Sequence, residues 1–284
     1  MNHDTPNSSS IDSLLPPEMA DKAEQVGVKK ANMNAMTMFA LAFLAGAFIA
    51  LGAVFATTVT SGGSGQLPFG VTKLLGGLAF SLGLILVIVG GAELFTGNNL
   101  IVMAWVSGKV STGKVLRNWI IVYLGNFAGA IATAIVVFLS GQYRFAGGAI
   151  GETALNIAAA KVSLSFVEAV ALGALCNVLV CLAVWLAFSA RTTTDRVLSI
   201  VPPITAFVAC GFEHSVANMY FIPIGLFIRN WGSGVVVAAD LSKLTWTGFF
   251  LNNLLPVTLG NIVGGAAMVG GVYWFIYLRG RPES

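Results

Sequence analysis

Charged residues are sparse and divide the chain into six long apolar intervals. Residues 31–72, 118–143 and 244–278 contain no charged side chain at all. Residues 74–108 contain only Glu93, residues 162–190 only Glu168, and residues 197–228 only the pair Glu213 and His214. A helix that crosses a bilayer needs about 20 apolar residues. The pattern therefore predicts an all-α polytopic membrane protein with six spans, which occupy residues 31–278.

The segment before the first span, residues 1–30, differs in pattern from the spans. From residue 11 onward, apolar residues recur near helical spacing between acidic and basic ones, which is typical of an amphipathic helix. Pro16 and Pro17 suit a helix start. Three hypotheses remain open for this segment: a helix packed on the inner membrane face, a mobile gating plug, and a docking site for a soluble partner. Residues 279–284 form a short tail.

The second and fifth intervals each contain a polar interruption near the middle. Residues 92–99 read Ala-Glu-Leu-Phe-Thr-Gly-Asn-Asn, and residues 211–218 read Gly-Phe-Glu-His-Ser-Val-Ala-Asn. Interrupted helical backbone at membrane depth is tolerated only where protein or a water-filled cavity satisfies it. A shift of 120 positions aligns Glu93 with Glu213 and Asn98 with Asn218. We therefore predict that helices two and five are broken and that these four residues are structural polar groups at the breaks.

The third and sixth intervals also resemble each other. A shift of 135 positions aligns residues 124–130 with residues 259–265, including Asn126 with Asn261, a further candidate polar group at the breaks. Two weak repeats in the same order indicate a duplication. Because each half has three spans, the halves must lie in the membrane with opposite orientations. Such an inverted 3+3 repeat with broken helices predicts a permeation pathway at the midplane, and an ionisable group there such as His214 is a functional candidate.

Composition and charge support this interpretation. The 284 residues are 56% hydrophobic and only 10% charged, which is too apolar for a soluble globular domain. With a cytoplasmic N-terminus, ten Lys and Arg residues fall on the inner side and five on the outer side, so both termini are expected inside. The sequence shows no basic cluster for nucleic acid, no cofactor motif and no metal-ligand cluster, and residues 1–30 do not read as a cleavable signal peptide.

The two interruptions, the Gly260-Asn261 pair and the six spans together resemble the formate/nitrite transporter family, and among its members the bacterial formate channels. The resemblance covers nearly the whole chain, including Leu14-Leu15-Pro16 near the N-terminus. It implies an aquaporin-like fold, a homopentamer with one pore in each protomer, and a location in the bacterial cytoplasmic membrane.

The resemblance also implies roles for individual residues. Thr96 and His214 are expected to form the central polar pair of the pore. Phe80 and Phe207 are expected at aromatic constrictions. Lys161 and Asn177 are expected to support the histidine, together with Glu213. The remaining candidates line an apolar throat: Leu84, Leu94, Phe95 and Val180.

The function that follows is pH-dependent passage of formate and related small weak-acid anions, with His214 exchanging or sharing a proton. Further expected partners are protons, the lipid bilayer and a cytoplasmic formate-producing enzyme at the N-terminal segment. A nitrite or hydrosulfide channel is the alternative within the family. A glycerol facilitator is disfavoured because no Asn-Pro-Ala triplet occurs. An intramembrane enzyme that uses Glu213 and His214 lacks a paired nucleophile, and a scaffold without a pore predicts no flux.

Overall fold

The computed structural model describes residues 13–63 and 66–280 as an all-helical protein. The expectations for residues 1–12 and 281–284 lie outside the described residues. The helices in chain order are α1 (Pro16–Ala31), α2 (Ala35–Thr60), α3 (Phe69–Gly90), α4 (Val102–Val106), α5 (Thr112–Leu139), α6 (Ala149–Val162), α7 (Phe166–Ser189), α8 (Thr193–Ala209) and α9 (Ser215–Trp231). A last span, Gly248–Tyr277, follows.

Five of these elements are long and apolar enough to cross a membrane: α2, α3, α5, α7 and the last span. The fifth predicted interval is divided into α8 and α9, with 17 residues each, so that neither half crosses on its own length. The second interval is also divided, although its first helix, α3, is long enough to cross by itself. It forms α3, then a short 3₁₀ helix at Gly97–Ile101, and then α4. The two predicted breaks are therefore present.

The last span is not a uniform α-helix. Two stretches with π-helical hydrogen bonding, Gly248–Leu254 and Val263–Gly271, flank the regular helix α10 (Leu255–Ile262), and α11 (Val272–Tyr277) completes the span. Such wide turns are frequently found at functional sites. Here the span lies against α7 and against the first break.

The packing of the helices repeats in the two halves. Helix α2 packs against α5 as α7 packs against the last span, and α3 and α8, the first arms of the two broken helices, pack against each other. Helix α1 lies against the first break, while α6 lies against α9, which follows the second break. Each half thus contains a short helix in addition to its three spans.

The structure corrects the placement of Lys161. The fourth apolar interval begins directly after Lys161, which predicts Lys161 at the start of the fourth span, but it lies in the last turn of the separate helix α6. The fourth span, α7, begins after Ser165, which caps it. Glu168 completes this cap, because its Oε2 accepts the N–H of Ser165 at 2.8 Å. Glu168 therefore closes the start of a helix, as in other capping boxes.

Close approach of helices in each half depends on glycine. A Cβ atom added at Gly46 of α2 would overlap the backbone of Asn126 on α5, and one added at Gly264 would overlap the backbone of Ala174 on α7. Small residues permit such backbone contact between membrane helices, where van der Waals packing drives association. This contact brings Asn126 to the first break.

Replacing Gly46 with alanine should lower the stability of the folded protein by about 1–3 kcal/mol, because the added methyl must push two helices apart. Gly113→Ala is the matched control, since a Cβ at Gly113 meets no atom within 4 Å. Thermal unfolding in detergent, followed by circular dichroism, measures both variants. Equal melting temperatures would contradict the close packing.

Candidate functional site

The first break begins where α3 ends at Gly91, whose φ of +80° is the left-handed conformation that glycine adopts without strain. Asn126 of α5 then holds the extended backbone. Its Oδ1 accepts the N–H of Phe95 at 2.9 Å, and its Nδ2 donates to the carbonyls of Ala42 at 2.7 Å and Glu93 at 2.9 Å. Backbone groups that the broken helix leaves free are therefore satisfied by one buried amide.

The second break has the same construction. Gly211, with φ of +72°, follows α8. Asn261 of the last span accepts the N–H of Ser215 at 2.9 Å and donates to the carbonyls of Gly173 at 2.8 Å and Glu213 at 3.0 Å. Asn126 and Asn261 therefore have equivalent partners, as their shift of 135 positions predicts.

A lysine, a glutamate and two asparagines form a buried polar cluster at the first break. Lys30 of α1 makes an ion pair with Glu93 Oε1 at 2.8 Å and donates to Asn98 Oδ1 at 2.9 Å. Asn98 Nδ2 donates to Glu93 Oε2 at 2.7 Å and to Asn118 Oδ1 at 3.0 Å. A buried carboxylate is tolerated only where it is paired and hydrogen-bonded, and the cluster provides both conditions.

An equivalent cluster lies at the second break. Lys161 of α6 makes an ion pair with Glu213 Oε1 at 2.8 Å. Asn218 Nδ2 donates to Glu213 Oε2 at 2.6 Å and to Asn253 Oδ1 at 2.7 Å. One contact differs, because Asn218 Oδ1 has no hydrogen-bond partner among the described residues, whereas its counterpart on Asn98 accepts from Lys30.

The side chains of Thr96 and His214 bring the two breaks together. Thr96 Oγ1 lies 2.9 Å from His214 Nε2, and both residues are buried. His214 is also the N-cap of α9, where its Nδ1 accepts the N–H of Ala217 at 3.0 Å. Because Nδ1 accepts, the neutral imidazole carries its proton on Nε2. The Nε2–H group then donates to Thr96, whose hydroxyl hydrogen stays free to donate elsewhere.

Asn177 of α7 lies beside this pair but contacts the backbone of Thr96. Its Nδ2 donates to the carbonyl of Asn261 at 2.6 Å and approaches the carbonyl of Thr96 at 3.3 Å and Asn99 Oδ1 at 3.2 Å. Asn177 therefore connects the loop of the first break to the anchor of the second.

Two cavities are associated with the two breaks. The first, of about 300 Å³, is lined by Phe80, Phe207, Lys161, Glu213 and His214 among others. The Phe80 and Phe207 rings meet edge to face with centroids 5.6 Å apart, and the Phe207 ring also stacks on His214 at 5.9 Å.

The second cavity, of about 270 Å³, has Lys30, Glu93 and Asn98 on its wall, with the apolar side chains of Leu84 and Leu94. Phe80 and Leu84 lie one turn apart on α3, and one lines each cavity.

Phe95 and Val180 have a different placement from the other apolar candidates. Both are buried, but neither is among the residues that line the two cavities. The Phe95 ring packs edge to face against Tyr123 at 4.9 Å and against Trp119 at 6.1 Å. Their side chains fill the protein interior beside the breaks.

Sequence reasoning missed four residues that complete the site: Lys30, Asn99, Asn118 and Asn253. Three of them carried a signal in the repeat. The shift of 135 positions that aligns Asn126 with Asn261 also aligns Asn118 with Asn253. A shift of 131 aligns Lys30 with Lys161, so the repeat extends to α1 and α6. Asn99 carried no such signal, because the shift of 120 places Met219 opposite it.

Comparison with known proteins finds matches along nearly the whole chain. The Formate/nitrite transporter family model matches residues 17–275. The chain is 47% identical over 275 residues to the formate channel FocA of Escherichia coli K12. This alignment covers 95% of this chain and 96% of FocA. It is 45% identical to the formate channel FocA of Haemophilus influenzae, over 90% of this chain and 92% of that protein.

A solved structure described as a pentameric formate channel with formate bound has a similar fold, with a TM-score of 0.80 at 46% identity. The match covers 86% of this chain and 98% of that one. Two buried lysine–glutamate–asparagine clusters, a threonine and histidine in contact between two broken helices, and sequence identity along nearly the whole chain lead to one conclusion: this multi-pass membrane protein belongs to the formate/nitrite transporter family.

Proposed function

We propose that this chain is a formate channel that passes formate and related small weak-acid anions across the bacterial cytoplasmic membrane in a pH-dependent way. The observation that carries the proposal is the hydrogen bond between Thr96 and His214, which joins two half-helices beside a cavity that is also lined by a partly buried lysine, Lys161. The relatives named as formate channels, at 45–47% identity over at least 90% of the chain, support formate as the substrate.

The proposed pathway leads from one cavity past the Thr96–His214 pair to the other cavity. Lys161 and Lys30 bind the anion on the two sides as local hydrogen-bond donors, since each ammonium group lies on a cavity wall beside its paired glutamate. Phe80 and Phe207 form a constriction beside the histidine. Leu84 and Leu94 form the apolar throat, and Phe95 and Val180, in the protein interior, support the shape of that throat.

An apolar throat favours the neutral acid over the bare anion. Transfer of a carboxylate ion into a medium of low dielectric costs on the order of 20 kcal/mol in the idealised limit and still several in practice. Protonation of a carboxylate with a pKa of about 4 at pH 7 costs roughly 4 kcal/mol. The anion therefore crosses the constriction with a proton shared or transferred.

His214 shares its proton in the proposed mechanism. A doubly protonated ring would need Nδ1 as a donor, but Nδ1 accepts the N–H of Ala217 and so caps α9. The neutral ring therefore serves as a hydrogen-bond donor through Nε2, which orients the Thr96 hydroxyl toward the passing carboxylate. Protons that neutralise the substrate then come from the aqueous phase, which makes flux increase as pH falls.

The orientation of the chain and its assembly follow from charge and from the relatives. Lys109 pairs with Glu24, and Lys114 and Arg117 bond to Asn32 and Met33 at the same pole as α1. This basic pole is proposed to face the cytoplasm, with both termini. The match to a pentameric channel supports a homopentamer.

Docking of a formate-producing enzyme on the N-terminal segment stays a prediction. The mobile-plug hypothesis for that segment is weakened by its contacts. Met19, Ala20 and Ala23 of α1 are buried, and Lys30 bonds to the first break. This part of α1 supports the first break.

Flux of formate, nitrite, acetate, lactate, hydrosulfide and nitrate into proteoliposomes at pH 5 and pH 7 tests the proposal. We expect formate to pass faster at pH 5, and nitrate, the anion of a strong acid, to pass more slowly than formate at both values. A preference for nitrite or hydrosulfide would favour the alternative channel of the same family. Consumption of substrate without flux would indicate an enzyme, and no flux would indicate a scaffold.

A further inference from the structure

Asn99 is a buried amide in the loop of the first break, and the repeat gives it no counterpart. Its Nδ2 donates to the carbonyl of Phe95 at 3.0 Å, and its Oδ1 accepts from Asn177 Nδ2 at 3.2 Å. The residue that the repeat places opposite it is Met219. The second break therefore has no side chain equivalent to that of Asn99.

The partner of Asn99 holds the backbone of Thr96. Asn177 Nδ2 has two hydrogens: one bonds the carbonyl of Asn261 at 2.6 Å, and the other lies between Thr96 O and Asn99 Oδ1. The thiol of Cys181 also donates to the Thr96 carbonyl at 3.4 Å. Asn99 and Thr96 therefore share one N–H group of Asn177, so that a movement of Asn99 reaches Thr96 directly.

The first break needs this support because its backbone lacks a regular helix start. His214 caps the second break with its side chain, and a full α-helix follows. Thr96 makes no such cap, and the 3₁₀ turn after it is only five residues long. Short 3₁₀ turns have poorer hydrogen-bond geometry than α-helices. The Asn99 side chain donates to the carbonyl of Phe95, so a side-chain hydrogen bond stabilises this turn in addition to the backbone hydrogen bonds.

We infer that Asn99 is a positioning residue for selectivity: together with Asn177 it fixes Thr96 in contact with His214, so that the channel distinguishes weak-acid anions from strong-acid anions. The inference rests on the proposed function and deepens it. Functional groups must be held within about 0.5 Å of their productive geometry. When the Asn99 amide is removed, the Thr96 hydroxyl moves relative to His214. The channel then loses its selectivity for weak-acid over strong-acid anions before it loses its ability to conduct formate.

The test compares Asn99→Leu, which keeps the branched shape of the side chain but removes both hydrogen bonds, with wild type in proteoliposomes. The ratio of formate flux to nitrate flux should fall about two- to tenfold, the effect of one buried hydrogen bond, and the increase of formate flux from pH 7 to pH 5 should shrink. Thr133→Val is the matched control. It removes the hydrogen bond from Thr133 Oγ1 to the carbonyl of Gly129, at 2.9 Å, which lies within α5 and involves no residue of either break, and its flux ratio should equal that of wild type.

The outcomes separate the two proposals. If wild type passes no formate, the proposed function fails. If wild type passes formate and Asn99→Leu keeps the wild-type ratio and pH profile, the positioning role of Asn99 is overturned, even if its melting temperature falls. Asn99→Ala gives the same readout should the leucine variant not assemble. In a double-mutant cycle, Asn99→Leu should add little to Asn177→Leu, and simple additivity would contradict a shared route to Thr96.

Discussion

Replacing His214 with asparagine should reduce formate flux about tenfold or more at both pH 5 and pH 7. Asparagine is a favoured N-cap residue, so its side-chain oxygen still accepts the N–H of Ala217 and α9 keeps its start. The variant lacks the Nε2–H group that contacts Thr96 at 2.9 Å. Radiotracer formate flux in both directions across proteoliposomes, at pH 5 and pH 7, measures the effect.

A second variant separates the histidine from its partner. Thr96→Val keeps the shape of Thr96 and removes its hydroxyl, so it should lower the flux while His214 and its cap remain in place. Bidirectional, pH-dependent transport at the wild-type rate in His214→Asn would show that the imidazole has no part in permeation. The melting temperature of His214→Asn should stay close to that of wild type, because the cap survives.

Replacing Lys161 with methionine should destabilise the folded protein by about 3 kcal/mol, which is the cost of leaving one partner of a buried ion pair alone. The Lys161 side chain is 14% exposed and that of Glu213 is 6% exposed, so little water reaches the carboxylate. Glu213 would be left with only amide donors, those of Asn218 and Asn253. Thermal unfolding in detergent detects the loss, and formate flux should fall with it.

The double variant Lys161→Met with Glu213→Gln distinguishes stability from binding of the anion. A neutral glutamine needs no cation, so the double variant should recover most of the lost stability while its formate flux stays low. Lys243→Met is the matched control, since Lys243 is an exposed lysine that lines neither cavity. A double variant with wild-type flux would contradict a role for Lys161 in recruiting the anion, and an unchanged melting temperature in Lys161→Met would contradict the buried pair.

Both predictions concern parts of the molecule that local sequence pattern reveals. Glu93 and Glu213 stand out because a charge inside an apolar interval is costly, and the same shift brings their asparagines into register. The same reasoning predicts the breaks, because glycine, glutamate and asparagine together do not continue a membrane helix. These inferences need only the neighbouring residues in the chain.

Lys30 shows what local pattern misses. It precedes the first apolar interval and reads as the end of an amphipathic segment, yet it pairs with Glu93, which is 63 positions away. Lys161 was assigned to the wrong helix for a related reason. An apolar stretch sets where a span can begin, but the cap at Ser165 decides where it does begin, and only that cap leaves Lys161 on α6.

The sequence by itself determined six apolar intervals, two breaks, a duplicated order of asparagines and the family. It could do so because each membrane span must be apolar on its own, and this requirement is visible in the residues of that span alone. The tertiary structure alone decided that α1 supplies the lysine of the first break, that Ala217 sets the tautomer of His214, and that Asn99 and Asn177 hold Thr96. These are contacts between segments distant in the chain, or choices among hydrogen-bond partners, and their energies depend on how the two inverted halves pack together.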